Sequence, residues 1–217
     1  MVELSSKIKN ARMEDLKTAN SVIVKLAATH TKMLFPKIEG KLKIVTHSEA
    51  AFRTLPDQVS SGGGHLGFLT SEKEQEAATL GWTSNKVKRV VGSNLAAEAL
   101  SLQEAVSHAI YLRGILAEVL EKEEKEIPMV SYVSSNNLYQ AVHSNKFVED
   151  KKMRLDIAQV RECIEEERLE VSWIQAEEML ARCLTRKGAD GSKLMTVLKK
   201  GKLPRRKRGE IKKEDME

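Results

Sequence analysis

Alternating polar and apolar side chains predict the strands of this chain. Residues 41–46 alternate in this way, and apolar runs follow at 65–70 and 80–83, after Gly-rich or acidic connections. Three strands in succession are therefore expected, and the Gly-rich stretch 60–64 is interpreted as a turn. Two further strands are predicted, at 129–133 and 171–174.

Apolar residues at three- and four-residue spacing predict the helices. The first covers 13–27, with Asn10 as its N-cap, and a short strand is expected at 32–35. A long helical pattern begins near Ser93 and extends to about residue 120, and we expect a break into two helices around Ser107. Shorter helices are predicted at 137–143, 152–167, 177–186 and 193–198.

The order of these elements suggests their topology. Three consecutive strands favour an antiparallel meander, whereas strands separated by helices favour parallel additions to the same sheet through right-handed crossovers. The prediction is an α/β fold with a five-stranded mixed sheet, three antiparallel strands and two added parallel ones, flanked by helices. This arrangement resembles the ribonuclease H-like architecture.

Length and composition favour one globular domain with appendages. The chain has 217 residues, of which 41% are hydrophobic and 31% charged. We divide it into a helix-plus-strand preface (1–40), a domain (41–198) and a C-terminal tail (199–217). No apolar stretch approaches the length of a membrane span, and the start lacks the apolar core of a secretory signal. We therefore expect an intracellular protein, with the compartment left open, and interpret Cys163 and Cys183 as packing residues.

The net charge of +5 is concentrated in the tail. Residues 199–217 contain nine Lys or Arg and four Asp or Glu, whereas residues 1–198 contain 27 of each sign. The body therefore gives no support for strong duplex binding, because phosphate neutralisation by Lys and Arg supplies most non-specific affinity. A solvated tail without a partner is the alternative interpretation. The residues predicted to bind RNA or an acidic protein surface are Lys199, Lys200, Lys202, Arg205, Arg206, Lys207 and Arg208.

Three segments resemble the last part of copia-type retrotransposon polyproteins. They are LGWTSNKVKRVVGSNLAAEALSLQEAV (80–106), LYQAVHSNKFVEDKKMRLDIAQVRE (138–162) and VSWIQAEEMLARCLTRKGA (171–189). The preface is similar to that family's link between polymerase and nuclease. The resemblance implies a ribonuclease H domain, which would cleave RNA in RNA–DNA hybrids with two divalent metal ions held by four acidic side chains.

The same resemblance indicates that most of these acids are replaced. The family's first Asp falls at Glu49, one methylene longer, and the helical acid is kept as Glu98. Ser134 stands where the family has its third acid, and Arg182 stands where it has its fourth. A hydroxyl is a weak magnesium ligand, and an arginine is effectively never deprotonated.

Two interpretations of Arg182 are open. Its guanidinium could form an ion pair with Glu98 or Glu49, or it could pair with Glu178 four residues earlier on the predicted helix 177–186. Neither leaves room for two magnesium ions. We therefore expect no cofactor and no bound metal, and a catalytically inactive, structural or nucleic-acid-binding component of a larger assembly such as a ribonucleoprotein. The alternative is an active ribonuclease H that uses Mg²⁺ bound at Glu49 and Glu98.

The remaining candidate residues are given ordinary structural roles. The histidines have no partners at nucleophile or metal spacing and are interpreted as surface or capping residues, and the two tryptophans as core or sheet-face residues rather than base-stacking platforms. These residues are His47, His65, His108, His143, Trp82 and Trp173.

Overall fold

One five-stranded sheet forms the centre of the protein. The computed structural model describes residues 4, 7–29, 32–55, 61–144, 150–166 and 169–204. The strands are β1 (Leu42–Ala51), β2 (Gly62–Ser71), β3 (Ala77–Lys86), β4 (Met129–Val133) and β5 (Leu169–Trp173).

The strand order is β3-β2-β1-β4-β5. The pairs β1–β2 and β2–β3 are antiparallel, and the pairs β1–β4 and β4–β5 are parallel. The predicted α/β class and ribonuclease H-like topology are confirmed. The turn predicted at 60–64 is wrong in part, because Gly62, Gly63 and Gly64 begin β2 and are buried.

Six α-helices accompany the sheet in the described part of the chain. They are α1 (Met13–Ala28), α2 (Asn94–Val119), α3 (Asn136–His143), α4 (Lys151–Glu166), α5 (Arg182–Thr185) and α6 (Ser192–Lys200). The break predicted around Ser107 is wrong, since α2 is continuous and that side chain is exposed. No helix within the described ranges is long and apolar enough to cross a membrane.

The two sides of the sheet have different cores. On one side α2 packs through small residues such as Ala97, Ala105 and Ala109, which allow the helix close to Ile44 of β1. On the other side a second cluster contains Phe68 of β2 together with residues of α6 and of the segment before α5. The small side chains of α2 bring this helix close to the sheet. Polar groups of the sheet, such as His65, therefore lie directly beneath α2.

Helix α1 lies outside both cores, and none of its residues is buried. Its N-cap is Arg12, not the predicted Asn10, which belongs to a preceding 3₁₀ turn. The strand expected at 32–35 is also wrong: the described residues 32–39 form no strand, although the backbone N–H of Leu34 donates to Leu198 O at 2.8 Å.

The chain after α6 adds to the edge of β3. Gly201 ends the helix with φ at 58°, a left-handed conformation that favours glycine. Lys202 then bridges to Glu76 in the antiparallel sense, and the N–H of Leu203 donates to Gln75 O at 2.9 Å. The first residues of the predicted tail are thus attached to the sheet. Arg205, Arg206, Lys207 and Arg208 lie outside the described residues.

Candidate functional site

The two acids Glu49 and Glu98 meet at one end of the sheet. Glu49 lies near the end of β1 and Glu98 in the second turn of α2, and both side chains are buried. They are close enough for the charge of Glu49 to raise the pKa of Glu98 in addition to the larger effect of burial. The structure therefore brings together the two acids that the sequence indicated.

Both oxygens of Glu49 are engaged by neighbouring side chains. Ser134, directly after β4, donates its hydroxyl to Oε2 at 2.5 Å. The Arg186 guanidinium contacts Oε1 at 3.3 Å. Ser134 is itself held by Trp173, whose indole N–H donates to the Ser134 carbonyl at 3.1 Å. Ser134 thus supplies a hydrogen bond to Glu49 from the end of the neighbouring strand.

One of the two carboxylate oxygens of Glu98 has a hydrogen-bond partner among the described residues. Its Oε1 accepts from the Asn94 amide at 2.8 Å, whereas Oε2 is buried and has no hydrogen-bond partner among the described residues. Burial raises the pKa of this carboxyl above its ordinary value, and the nearby Ser135 hydroxyl, Asn94 amide and Arg186 charge only partly oppose that rise. Transferring a carboxylate out of water disfavours its charged form.

The structure corrects both interpretations of Arg182. The predicted helix 177–186 is divided into a 3₁₀ turn at Ala176–Glu178 and the short α5, which Arg182 begins. Glu178 and Arg182 are therefore not one turn apart on a common helix, and no ion pair between them is present in the described structure. The guanidinium that pairs with Glu49 comes from Arg186, immediately after α5.

Buried glycines of β2 explain how Arg186 reaches this site. A Cβ atom on Gly64 would lie 3.1 Å from Leu184 Cβ and 2.9 Å from the Thr83 carbonyl oxygen. The hydroxyl of Ser84 on β3 donates to the Leu184 carbonyl at 2.7 Å. Glycine in a strand interior often marks the close approach of another backbone. Here it allows α5 to pack directly on the sheet, next to Glu49.

The donor set does not fit the two magnesium ions that the resemblance implies. Three of the four carboxylate oxygens of Glu49 and Glu98 already have partners, one of them a guanidinium. Across the described residues, no group of three or more His, Cys, Asp or Glu side chains could hold a metal ion. Magnesium needs oxygen ligands in near-octahedral geometry, which two carboxylates and a competing cation do not supply.

Sequence reasoning missed three residues of this site. Asn94 and Ser101 lie on α2, where Ser101 donates its hydroxyl to the Glu49 carbonyl at 2.8 Å, and Arg186 follows α5. Asn94 and Ser101 lie one turn either side of Glu98, so the predicted helix already placed them near it. No pattern distinguished Arg186 from the neighbouring Arg182 and Lys187.

Two of the four candidate histidines, His47 and His65, depart from their predicted roles. His47 and His65 are buried, so the surface or capping interpretation is wrong for both. His143 agrees with it, since it is exposed and its Nδ1 lies 2.9 Å from Tyr139 O at the end of α3. Trp82 occupies the sheet face predicted for it, with 60% of its surface exposed.

A pocket lined by three cationic side chains and by Asp150 lies near the start of α2. It has a volume of about 370 Å³ and is lined by the loop before α2, by Ala96 of α2 and by the start of α4. Arg89, Lys151 and Lys152 contribute positive charge, although Arg89 also pairs with the buried Asp156.

Comparison with known proteins finds only distant similarity. No protein-family model matches the sequence, and no curated protein matches it significantly. Among solved structures, LC11-RNase H1 from a compost metagenome is 17% identical with a TM-score of 0.48, and the match covers 66% of this chain and 92% of that one. RNase H1 of the archaeon Halobacterium salinarum is 12% identical with a TM-score of 0.45, covering 66% and 94%. The protease-reverse transcriptase of prototype foamy virus is 12% identical with a TM-score of 0.41, covering 78% and 22%. At these values the neighbours carry no information on activity, and the ribonuclease H-like fold stands on the strand order of this chain.

Proposed function

We propose that this protein is a catalytically inactive ribonuclease H-like domain of copia-type retroelement origin, which serves as a structural or nucleic-acid-binding component of a larger assembly such as a ribonucleoprotein. The observation that carries the proposal is the contact of Arg186 with Glu49. In place of a metal ion, the site contains a permanent cation from its own chain.

The chemistry of hydrolysis explains why this contact matters. Two-metal hydrolysis needs one ion to activate water and another to stabilise the leaving oxygen. A guanidinium neutralises a carboxylate but cannot lower the pKa of a bound water as a divalent ion does, and it keeps its proton at any physiological pH. Ser134 cannot replace a third carboxylate, because its hydroxyl is neutral and already donates to Glu49.

Binding is supported by features outside the two acids. The pocket near the start of α2 offers the cations Arg89, Lys151 and Lys152, with Asp150 as the one acidic residue of its lining. The sequence adds the cluster of the C-terminal tail, of which Lys199, Lys200 and Lys202 are described and exposed. Lys and Arg side chains that neutralise phosphates give affinity without base recognition. RNA held as part of an assembly is therefore the partner we propose.

A hybrid-cleavage assay tests the inactivity. The full chain is incubated with a labelled RNA–DNA hybrid in Mg²⁺ and separately in Mn²⁺, next to Glu98→Ala and an active ribonuclease H as controls. We expect no turnover above the Glu98→Ala background with either metal. Turnover that Glu98→Ala abolishes would overturn the proposal in favour of an active metal-dependent ribonuclease H.

A second arm of the experiment measures binding of single-stranded and duplex RNA at several salt concentrations. We expect affinity that falls steeply with salt, and a slope of log K against log salt that becomes shallower by about 0.7–0.9 for each phosphate contact removed with residues 205–217. Lys151→Gln with Lys152→Gln separates the pocket from the tail. Salt-independent binding would contradict the electrostatic part of the proposal.

A further inference from the structure

Two histidines join the sheet to its longest helix. His65 on β2 and His108 on α2 face each other, with His65 Nε2 and His108 Nδ1 3.0 Å apart. The same His65 nitrogen lies 3.2 Å from the Thr83 hydroxyl of β3. His65 is 4% exposed, and a side chain on Gly81 would collide with the His108 ring, since its Cβ would lie 3.0 Å from Cε1. The contact is thus enclosed by three elements.

Among the described residues, the groups that face this contact carry no charge to balance a proton. Strand β1 presents Ser48, which pairs with His65 in the strand register, and β3 presents Thr83 and Gly81. From α2 the only titratable group that affects His65 is His108, and Glu104, one turn earlier, is exposed and affects neither ring. Ser48 Oγ and His65 Nδ1 are buried without hydrogen-bond partners in the described part of the chain. An imidazolium formed here would lack a counter-ion among the described residues.

Both rings are accordingly held neutral. Burial and, to a smaller extent, the neighbouring His108 together lower the pKa of His65 to about 4. Burial also lowers the pKa of His108. A neutral pair forms a hydrogen bond, because one ring nitrogen donates and the other accepts, whereas two protonated rings both donate and repel each other.

We propose that the contact between His65 and His108 is a pH-sensitive latch, which holds the middle of α2 on the sheet while both rings are neutral and opens when they are protonated. The helix held in this way also carries Glu98 and Ser101. Ser101 donates to the Glu49 carbonyl at 2.8 Å and lies 3.3 Å from the carbonyl of Gly64, the residue before His65. Opening the latch therefore loosens the candidate site as well.

The sign of the effect follows from linkage. A histidine whose pKa is lower in the folded than in the unfolded state contributes stability that is fully present above its ordinary value of 6.5 and is lost as the pH falls toward 4. For His65 alone, these two values imply an unfolding equilibrium constant about 30-fold larger at pH 5 than at pH 8. His108 adds to the loss in the same direction.

The test combines a direct titration with a variant. Nitrogen NMR of the imidazole rings in the full chain should show His65 and His108 titrating below the ordinary histidine value of 6.5. Chemical unfolding at pH 8 and pH 5 should show that His65→Gln, whose amide can still donate to His108, loses most of the acid-dependent destabilisation, while the control His143→Gln retains it. Hydrogen exchange of α2 amides, corrected for the intrinsic rate, should increase in the wild type at pH 5.

Two results would overturn the latch. One is titration of His65 and His108 at or above 6.5, which the wild-type protein alone reveals even if His65→Gln does not fold. The other is an acid-dependent destabilisation of the same size in His65→Gln and the wild type. Neither result bears on hybrid cleavage, so the latch and the proposed function fail independently.

Discussion

Two clusters of buried titratable side chains lie along α2. They differ in whether an oppositely charged group lies next to them. At the start of the helix, Glu49 and Glu98 are buried acids, and a cation from α5 balances the first of them. Farther along, His65 and His108 are buried bases with no balancing charge, and they stay neutral. The comparison indicates that a charged side chain is buried along α2 where an oppositely charged group lies close to it, as Arg186 does to Glu49.

Position in the sheet explains this difference. Gly64 and His65 are adjacent in β2, so their side-chain positions face opposite sides of the sheet. The glycine faces α5, whose end brings Arg186 in from solvent with 41% of its side chain exposed. The histidine faces the closed side, beneath α2. Adjacent positions of β2 thus face two different helices, α5 at Gly64 and α2 at His65.

The largest effect is expected from Gly64→Ala. The added Cβ would meet the Thr83 carbonyl at 2.9 Å and Leu184 at 3.1 Å, and backbone atoms cannot yield as a flexible side chain can. Overpacking of this kind costs about 2–3 kcal/mol, and we expect that loss in chemical unfolding. Gly92→Ala is the matched control, because nothing lies within 4 Å of its Cβ position. Equal effects of the two substitutions would show that close packing of α5 is unimportant.

A smaller loss is expected from Arg186→Leu. Removing the guanidinium leaves the buried Glu49 with only its neutral hydrogen bond from Ser134. Breaking a fully buried ion pair would cost more. Because Arg186 is partly exposed, we expect its removal to lower the free energy of unfolding by about 2 kcal/mol. Arg182→Leu, which removes a neighbouring arginine without an ion pair in the described structure, should change it by less than about 0.5 kcal/mol. A larger effect of Arg182→Leu would restore the interpretation based on the sequence.

The smallest effect, and the only stabilising one, is expected from Glu98→Gln. Burial raises the pKa of Glu98, so its charged form is disfavoured in the folded state and stability is lost as the pH rises through the folded value. The amide should therefore stabilise the protein at pH 8 by about 1 kcal/mol, and the gain should shrink as the pH falls toward 4.5. Unfolding curves at both pH values measure this, and a gain that grows in acid would contradict it.

The fold was predictable because its pattern is local. Strand β4 has the predicted bounds, and the alternation at 41–46 correctly indicated β1, although β1 continues to Ala51. The incorrect predictions lie where tertiary contacts, and not the local pattern, determine the secondary structure. Met179, Leu180 and Ala181 are all buried, so the chain there turns to place three consecutive apolar residues inward instead of forming a helix with one apolar side.

The candidate site was predictable only in part. A resemblance located Glu49, Glu98 and Ser134, and the structure places them together. It could not select Arg186 over Arg182, because that choice depends on how closely α5 approaches the glycines of β2. The contact between His65 and His108 could not be predicted from the sequence either. The two residues are 43 positions apart, and no short motif connects them.

The short pairing of Lys202 with Glu76 determines where the chain after residue 204 is attached. Glu76 precedes β3 at the end of the sheet where β1 begins, whereas Glu49 lies toward the other end of that ten-residue strand. At about 3.3 Å per residue, the two points are more than about 20 Å apart. A nucleic acid bound by the basic run would be attached at the end of the sheet near Glu76. It could be held there without contacting the acidic site at the other end.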